Sequence, residues 1–449
     1  MKTMLVVRRS LPRALTLLAA VALGCADPHP TEPDAGHPAF GRTVSGPTVT
    51  ATNPSFGDQG TVNLDVQVIG SGFDQGSQAA WDSGGAPYPK IAVNSTKFVS
   101  STQLTANITI AATATVQYYD VAVTTSTGRK GVGTELFAVT LATPIPGATS
   151  AVAVNDAGRV TGGNASGIYV FDVPTGALQN VGTGIPWAID QLGTTLSGQI
   201  PRKNSLGTPA VWTFAGGVWS PQTIPDLGLG GAARALASDG TGAAALLAGS
   251  VDRPCGKGSC HTPAKWTPNG TGGWNLTLLS LPGGKGSLFA QGINASGMAV
   301  GMDGVTCCTA FFWDASGNVT VLTPLATGAA SAAYAINDAG TIIVGNSNSV
   351  AVAWTRASTA DPWPAPIPLD TNGCGGGAND INATGVIVGN SCGVPAAWKP
   401  SGGGYTRVLL GDLGNHHPGP ETARGVNNGT VAPLIAAGDV GQGVFWTRF

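Results

Sequence analysis

The side chains that could do chemistry are few, and they fall in connecting segments. There are five histidines. His29 and His37 lie in a proline-rich stretch, and His416-His417 lie in a loop with Asp412 and Glu421 nearby. Paired imidazoles beside carboxylates suit a metal ion, but a solvated loop explains them as well and is preferred. Cys255 and Cys260 bracket Gly256-Lys257-Gly258-Ser259, and His261 follows. Two thiolates and an imidazole would need a fourth ligand to hold zinc, and none is in sight. In an oxidising compartment the same two cysteines close a small disulfide loop instead. Cys374 and Cys392 flank a hairpin and could meet. Cys307 and Cys308 are adjacent and either form a vicinal ring or pair elsewhere. The chain contains no His-Glu-x-x-His pair or phosphate loop. No catalytic residue, metal or cofactor is therefore assigned.

The elements that must position these residues come from a repeat. Between residue 151 and the C-terminus one pattern recurs seven times. It is clearest in Ala-Tyr-Ala-Ile-Asn-Asp-Ala-Gly-Thr-Ile-Ile-Val-Gly (333–345) and in the stretch 378–389. The turn position holds Asn155, Asp190, Ala237, Asn294, Asn337, Asn382 and Asn427, followed by Gly158, Gly193, Gly240, Gly297, Gly340, Gly385 and Gly429. An aromatic closes each copy at Phe171, Trp212, Trp266, Trp313, Trp354, Trp398 and Trp446. Copy three lacks the Asn, and copy seven is one residue short in its turn.

Asn-x-x-Gly between apolar runs reads as a hairpin turn, with Gly where a positive φ is needed. This spacing explains the repeated Asn as turn chemistry and not as a ring of ligands. Each copy supplies four strands, and a period of roughly 40–50 residues suits a propeller blade. Small residues in the first strand suit the crowded innermost position. The seventh copy stops after its third strand, and residues 140–146 resemble a fourth strand. They are expected to complete the last blade and close the ring, removing exposed edges.

The repeat region resembles the HAF-repeat proteins, whose pattern is Ala-x-x-Ile-Asn-x-x-Gly-x-x-x-Gly with a following Trp. The resemblance implies an exported β-repeat protein of unassigned activity. Residues 1–25 read as a secretion signal, with a basic start (Lys2, Arg8, Arg9, Arg13) and an apolar run too short to span a bilayer. Ala22-Leu23-Gly24-Cys25 resembles a lipobox, which implies a lipid on Cys25. Residues 26–46 are proline-rich and read as a tether.

Residues 47–139 form a smaller β segment. It resembles an IPT/TIG domain through Pro47, Pro54, Gly57 and Gly60, through Val66-x-Val68-x-Gly70-x-Gly72-Phe73 and Trp81, and through Tyr119-Asp120-Val121-Ala122-Val123 before Gly128. The resemblance implies an immunoglobulin-like fold acting as spacer or binding module. The whole chain is thus expected to be all-β: an immunoglobulin-like IPT/TIG sandwich at 47–139, followed by a seven-bladed β-propeller at 140–449.

Charged residues make up 10% of the chain and the net charge is −2, so the basic face of a nucleic-acid binder is missing. The expected function is an exported, lipid-anchored binding protein at the outer membrane or surface of a bacterium, taking a glycan or protein ligand. Variable loops on a rigid scaffold tend to carry binding. The expected ligand face therefore holds the loops between blades and between second and third strands, with Arg253, Lys257, His261, Asp303, His416 and His417. The second reading is a glycan-active hydrolase or lyase with carboxylates around a central channel. Acids are scarce and sit mostly in turns, so whether the chain is an enzyme stays open, with binding preferred.

Overall fold

The computed structural model describes residues 46–449 apart from 116, 141, 203–204, 256–257, 283–285, 305–308, 371–374, 412–420, 431–433 and 448. Lys257, His416, His417, Cys307, Cys308 and Cys374 lie outside the described residues, as does everything before residue 46, Cys25 included. The described residues are all-β.

The first two sheets face each other across one core. One runs in the order Thr48–Asn53, Leu64–Ser71, Gln103–Ile110, Ile91–Ser100. The other runs Phe56–Asp58, Lys130–Thr140, Tyr118–Thr124, Gln78–Ser83, Ala86–Pro87. Alternation along the strands turns Val66, Val68, Leu104, Ile108, Tyr119, Val121 and Val123 inward. Trp81 meets Phe137 edge-on, with ring centroids 5.5 Å apart. The Tyr119 hydroxyl donates to the Thr115 carbonyl four residues upstream, at 2.8 Å, a tie that immunoglobulin-like sandwiches share.

Beyond residue 140 the described residues form seven four-stranded antiparallel sheets. The fifth is representative: Ser331–Ile336, Ile342–Ser347, Val350–Thr355 and Ile367–Pro368 pair in sequence order. Sheets one to four and six follow the same order, and their first strands are Ala148–Val154, Ile185–Ile189, Gly231–Ser238, Leu288–Ile293 and Gly376–Ile381. The seventh holds Thr422–Val426, Ile435–Asp439 and Gly443–Thr447, and its fourth strand is Thr143–Pro144. Thr143 pairs with Phe445 and Pro144 with Val444, and the Ile145 amide donates to the Gly443 carbonyl at 3.0 Å.

The N-terminal segment thus completes the final sheet, as its sequence implied. Each sheet packs on the next. The first and last share a core of Ile145, Ala151, Phe171, Ala437 and Phe445, so the ring is closed and has β-propeller character.

The turn chemistry holds in detail. Gly158, Gly193, Gly297, Gly340, Gly385 and Gly429 all have φ between +66° and +84°, which only Gly adopts without strain. Copies three and seven differ from the sequence reading. In copy three the turn is Asp239 to Gly242: Gly242 has φ +87° and donates to the Asp239 carbonyl, and Gly240 has no such φ. Copy three has therefore lengthened its hairpin and moved the Asn-like side chain, not lost it: Ala235 pairs with Ala248, where the equivalent Ala153 of copy one pairs with Thr161. In copy seven Asn427 pairs across the turn with Ile435, so that turn is longer, not shorter.

The repeated Trp residues and Phe171 are buried. Four of the indoles donate to a carbonyl of the segment leading in from the preceding sheet: Trp266 to Pro225, Trp313 to Ser280, Trp354 to Thr323 and Trp446 to Gly411. Each such Trp therefore fills its own sheet and ties the neighbour to it.

The sandwich docks on the fifth and sixth sheets. Phe56 and Ala138 join a core with Leu369, Ala378, Ile381 and Leu409, and the Leu409 amide donates to the Tyr118 hydroxyl at 3.2 Å.

Candidate functional site

The first strand of each of the seven sheets beyond residue 140 lines one central cavity of about 430 Å³, within the ~300–1,000 Å³ range of small-molecule sites. Each of these seven strands carries a β-bulge at the same register position. The pairing slips between Ala151 and Ala153, Pro186 and Ala188, Ala233 and Ala235, and Ala290 and Gly292. It slips again between Ala333 and Ala335, Ala378 and Asp380, and Ala423 and Gly425. A bulge leaves one residue unpaired and re-aims its side chain.

The unpaired residues are Val152, Trp187, Arg234, Gln291, Tyr334, Asn379 and Arg424, and all of them line the cavity. Their neighbours on both sides are nearly all Ala, Gly or Pro, because the axis has no room for more. A Cβ on Gly292 would lie 2.6 Å from the Tyr334 carbonyl oxygen, and one on Gly425 would lie 2.9 Å from the Ala153 Cα.

The seven side chains differ in how far they are satisfied. Arg424 donates to Asp439 at 2.5 Å. Asn379 donates to the Thr422 hydroxyl at 2.6 Å and to the Ala423 carbonyl at 2.8 Å. The Tyr334 hydroxyl accepts from Asn346 at 3.4 Å. Arg234 packs against two rings, its guanidinium carbon 4.8 Å from the Trp187 centroid and 5.0 Å from that of Phe289. Its Nε and the Trp187 Nε1 are buried donors without an acceptor. Burial lowers the Arg234 pKa, and the Asp252 carboxylate opposes that shift.

One flanking position breaks the small-residue rule. Asp380 stands where other copies have Ala or Gly, and it accepts from the amides of Ile381 and Val426, each at 2.9 Å. Desolvation pushes its carboxyl up to about 7, against those two hydrogen bonds, and the charge of Asp338 adds to the rise. Asp156, Asp239 and Asp338 border the cavity at the hairpin turns. Asp156 is held by Asn428, and Asp239 by Thr241.

The repeated Asn is a fastener. Its Oδ1 closes its own turn, as when Asn294 accepts from Met298 N and Asn382 from Val386 N. In three copies its Nδ2 reaches the equivalent turn of the next sheet: Asn155 to the Asp190 carbonyl, Asn294 to that of Asn337, and Asn382 to that of Asn427. The turn reading found the first bond, while the second needs the ring.

The residues expected on the loop face lie apart from the cavity wall. Arg253 donates to the Thr262 hydroxyl and the Gly286 carbonyl, both at 2.9 Å. His261 Nδ1 lies 2.7 Å from Asp252, and its ring stacks on Phe289 at 4.2 Å. His261 and Asp252 thus back the ring on which Arg234 lies. Asp303 ends the strand Ala299–Asp303. Cys255 and Cys260 form a disulfide, and Cys392 is disulfide-bonded as well.

Sequence reasoning missed the bulge ring. Its signal was a single large, variable residue between small ones, three places before the turn, as Tyr334 in Ala-Tyr-Ala-Ile-Asn.

No family model and no curated protein matches the chain. It is similar to a solved structure described as the crystal structure of a mitotic checkpoint complex, with TM-score 0.46 and 11% identity over 69% of this chain and 91% of that one. It is also similar to the crystal structure of TolB from Acinetobacter baumannii, with TM-score 0.30 and 14% identity over 53% and 57%. The strand pairing carries the fold independently of both.

Proposed function

We propose that the chain is an exported binding protein, held at a bacterial surface by a lipid on Cys25. In this reading residues 26–46 are the tether, and 47–139 an immunoglobulin-like spacer of IPT/TIG type. Residues 140–449 are a seven-bladed HAF-repeat propeller that takes a small ligand, or the end of a chain, in its central cavity. The observation that supports this is the ring of bulges. In all seven repeats the residues on either side of the bulge are Ala, Gly or Pro, Asp380 alone excepted, whereas the bulge residue that lines the cavity is diverse. Aromatic faces, amides and guanidinium groups at one level suit a hydroxyl-rich ligand such as a glycan.

A glycan array probed with the secreted full chain, beside a hydrolysis assay, tests the reading. Binding that is abolished by Trp187→Ala or Gln291→Ala supports it; binding indifferent to both contradicts it. Cys25→Ser is expected to move the protein from the membrane fraction to the soluble one, and retention would place the anchor elsewhere.

The hydrolase or lyase reading is favoured by one feature, the carboxyl of Asp380, which burial and the charge of Asp338 push up to about 7, the direction a general acid needs. Both Asp380 oxygens accept backbone amides, which favours a structural role. Product formation lost in Asp380→Ala would reverse that preference.

A further inference from the structure

We infer that the cavity selects an acidic sugar and that Arg234 reads its carboxylate; this rests on the binding function proposed above. The cavity wall holds two guanidinium groups with different fates. Arg424 is already paired with Asp439 within its own sheet. Among the described residues Arg234 makes no hydrogen bond or ion pair. A half-buried cation without a bonded partner is costly, and the two rings against it offset only part of that cost.

Those rings also fix its geometry. With the guanidinium carbon 4.8 Å from the Trp187 ring centroid and 5.0 Å from that of Phe289, two ring contacts restrain the group, and its N–H edge is the part they leave for hydrogen bonds. That edge is a rigid fork of donors matched to the two oxygens of a carboxylate.

The nearby anion does not occupy the fork. Asp252 is engaged by His261 at 2.7 Å, and the Arg234 Nε remains a buried donor without an acceptor. The Trp187 Nε1 is a second such donor, on the adjacent sheet. This part of the wall therefore carries two donors and no free acceptor, which suits an acceptor-rich anionic group.

The remaining wall argues for a sugar rather than a peptide end. Gln291 is half-buried and its side chain makes no hydrogen bond among the described residues, so an amide donor and acceptor stand ready for hydroxyls. The inner strands offer a peptide no continuous edge, because every one of them is interrupted by its bulge.

The test uses the full chain and matched acid and neutral saccharides: trigalacturonic acid against its methyl ester, glucuronate against glucose, sialyllactose against lactose. A sulfated disaccharide and trialanine serve as the other anions. At least one carboxylated sugar is expected to bind tenfold or more tighter than its neutral partner. Arg234→Gln is expected to erase that preference while leaving neutral binding in place. Arg234→Lys, which keeps the charge and loses the fork, is expected to retain only part of it, and melting temperatures confirm that each variant folds.

Equal binding of acid and neutral partners, or a preference that survives Arg234→Gln, overturns the inference. So does tighter binding of the sulfated sugar or of trialanine than of every carboxylated sugar. If Gln291→Ala still abolishes saccharide binding in those cases, the cavity remains the site and only its acid selectivity falls. If no cavity substitution affects binding, both fall.

Discussion

At the scale of single residues, Asp380 carries the most distinctive expectation. Its carboxyl is raised from an ordinary 3.8 to about 7 by burial at the cavity wall. Between those values the folded chain holds a proton that the unfolded chain has released, so stability should fall as pH rises from about 4 to about 7. Asp380→Ala, which installs the residue found in other copies, should flatten that slope. Thermal melts across this range check it, and an unchanged slope would mean that Asp380 is not the group responsible.

Residue chemistry was the least legible part of the sequence. Asn382 and Asn294 could be read as turn formers because the Asn-to-Gly spacing is local, but their bonds to the next sheet cross more than forty residues. The cavity ring was hidden for a related reason. Arg234 lies in a strand of alanines and Trp187 between Pro186 and Ala188, and nothing short of the pairing register reveals that the backbone bulges there. The eye was drawn instead to His261 and Arg253, whose partners lie within their own hairpin or the adjoining segment.

At the scale of elements, the Trp-bearing third strand should dominate stability. Trp354 is fully buried and its indole donates to Thr323 at 2.8 Å, outside its own sheet. Trp354→Ala should therefore cost about 3–5 kcal/mol, read as a fall in melting temperature, and no fall would contradict the packing described.

Elements were the most legible scale, since turn glycines and β-branched runs repeat in register. The exception is copy three. Ala237 occupied the aligned position and Gly240 followed, so an Asn appeared lost. The hairpin is longer on both strands, with a second bulge between Ala237 and Ser238, and the turn has moved to Asp239 and Gly242. Alignment to a rigid pattern cannot register an insertion that preserves the turn.

At the scale of the whole molecule, closure depends on a short segment far from the sheet it completes. Ile145 is buried between the first and last sheets. Ile145→Ala should cost about 2–5 kcal/mol and expose residues 140–147 to proteolysis. Protection equal to that of the unsubstituted chain would show that the ring does not rely on this closure. The missing strand in the last copy announced the closure, whereas docking of the sandwich on the fifth and sixth sheets had no sequence signal. It depends on Phe56 and Ala138, two ordinary apolar residues, meeting a surface assembled from distant strands.

The central claim is that the bulge ring, not the variable loops, holds the ligand. Calorimetric affinity for one bound saccharide, compared between two variants of the full chain, tests it most directly. The double substitution Gln291→Ala with Tyr334→Ala should weaken binding at least tenfold. The triple substitution of Lys257, His416 and His417 by Ala should leave it within about twofold of the parent. The reverse pattern, with affinity lost in the loop variant and kept in the ring variant, would contradict the account.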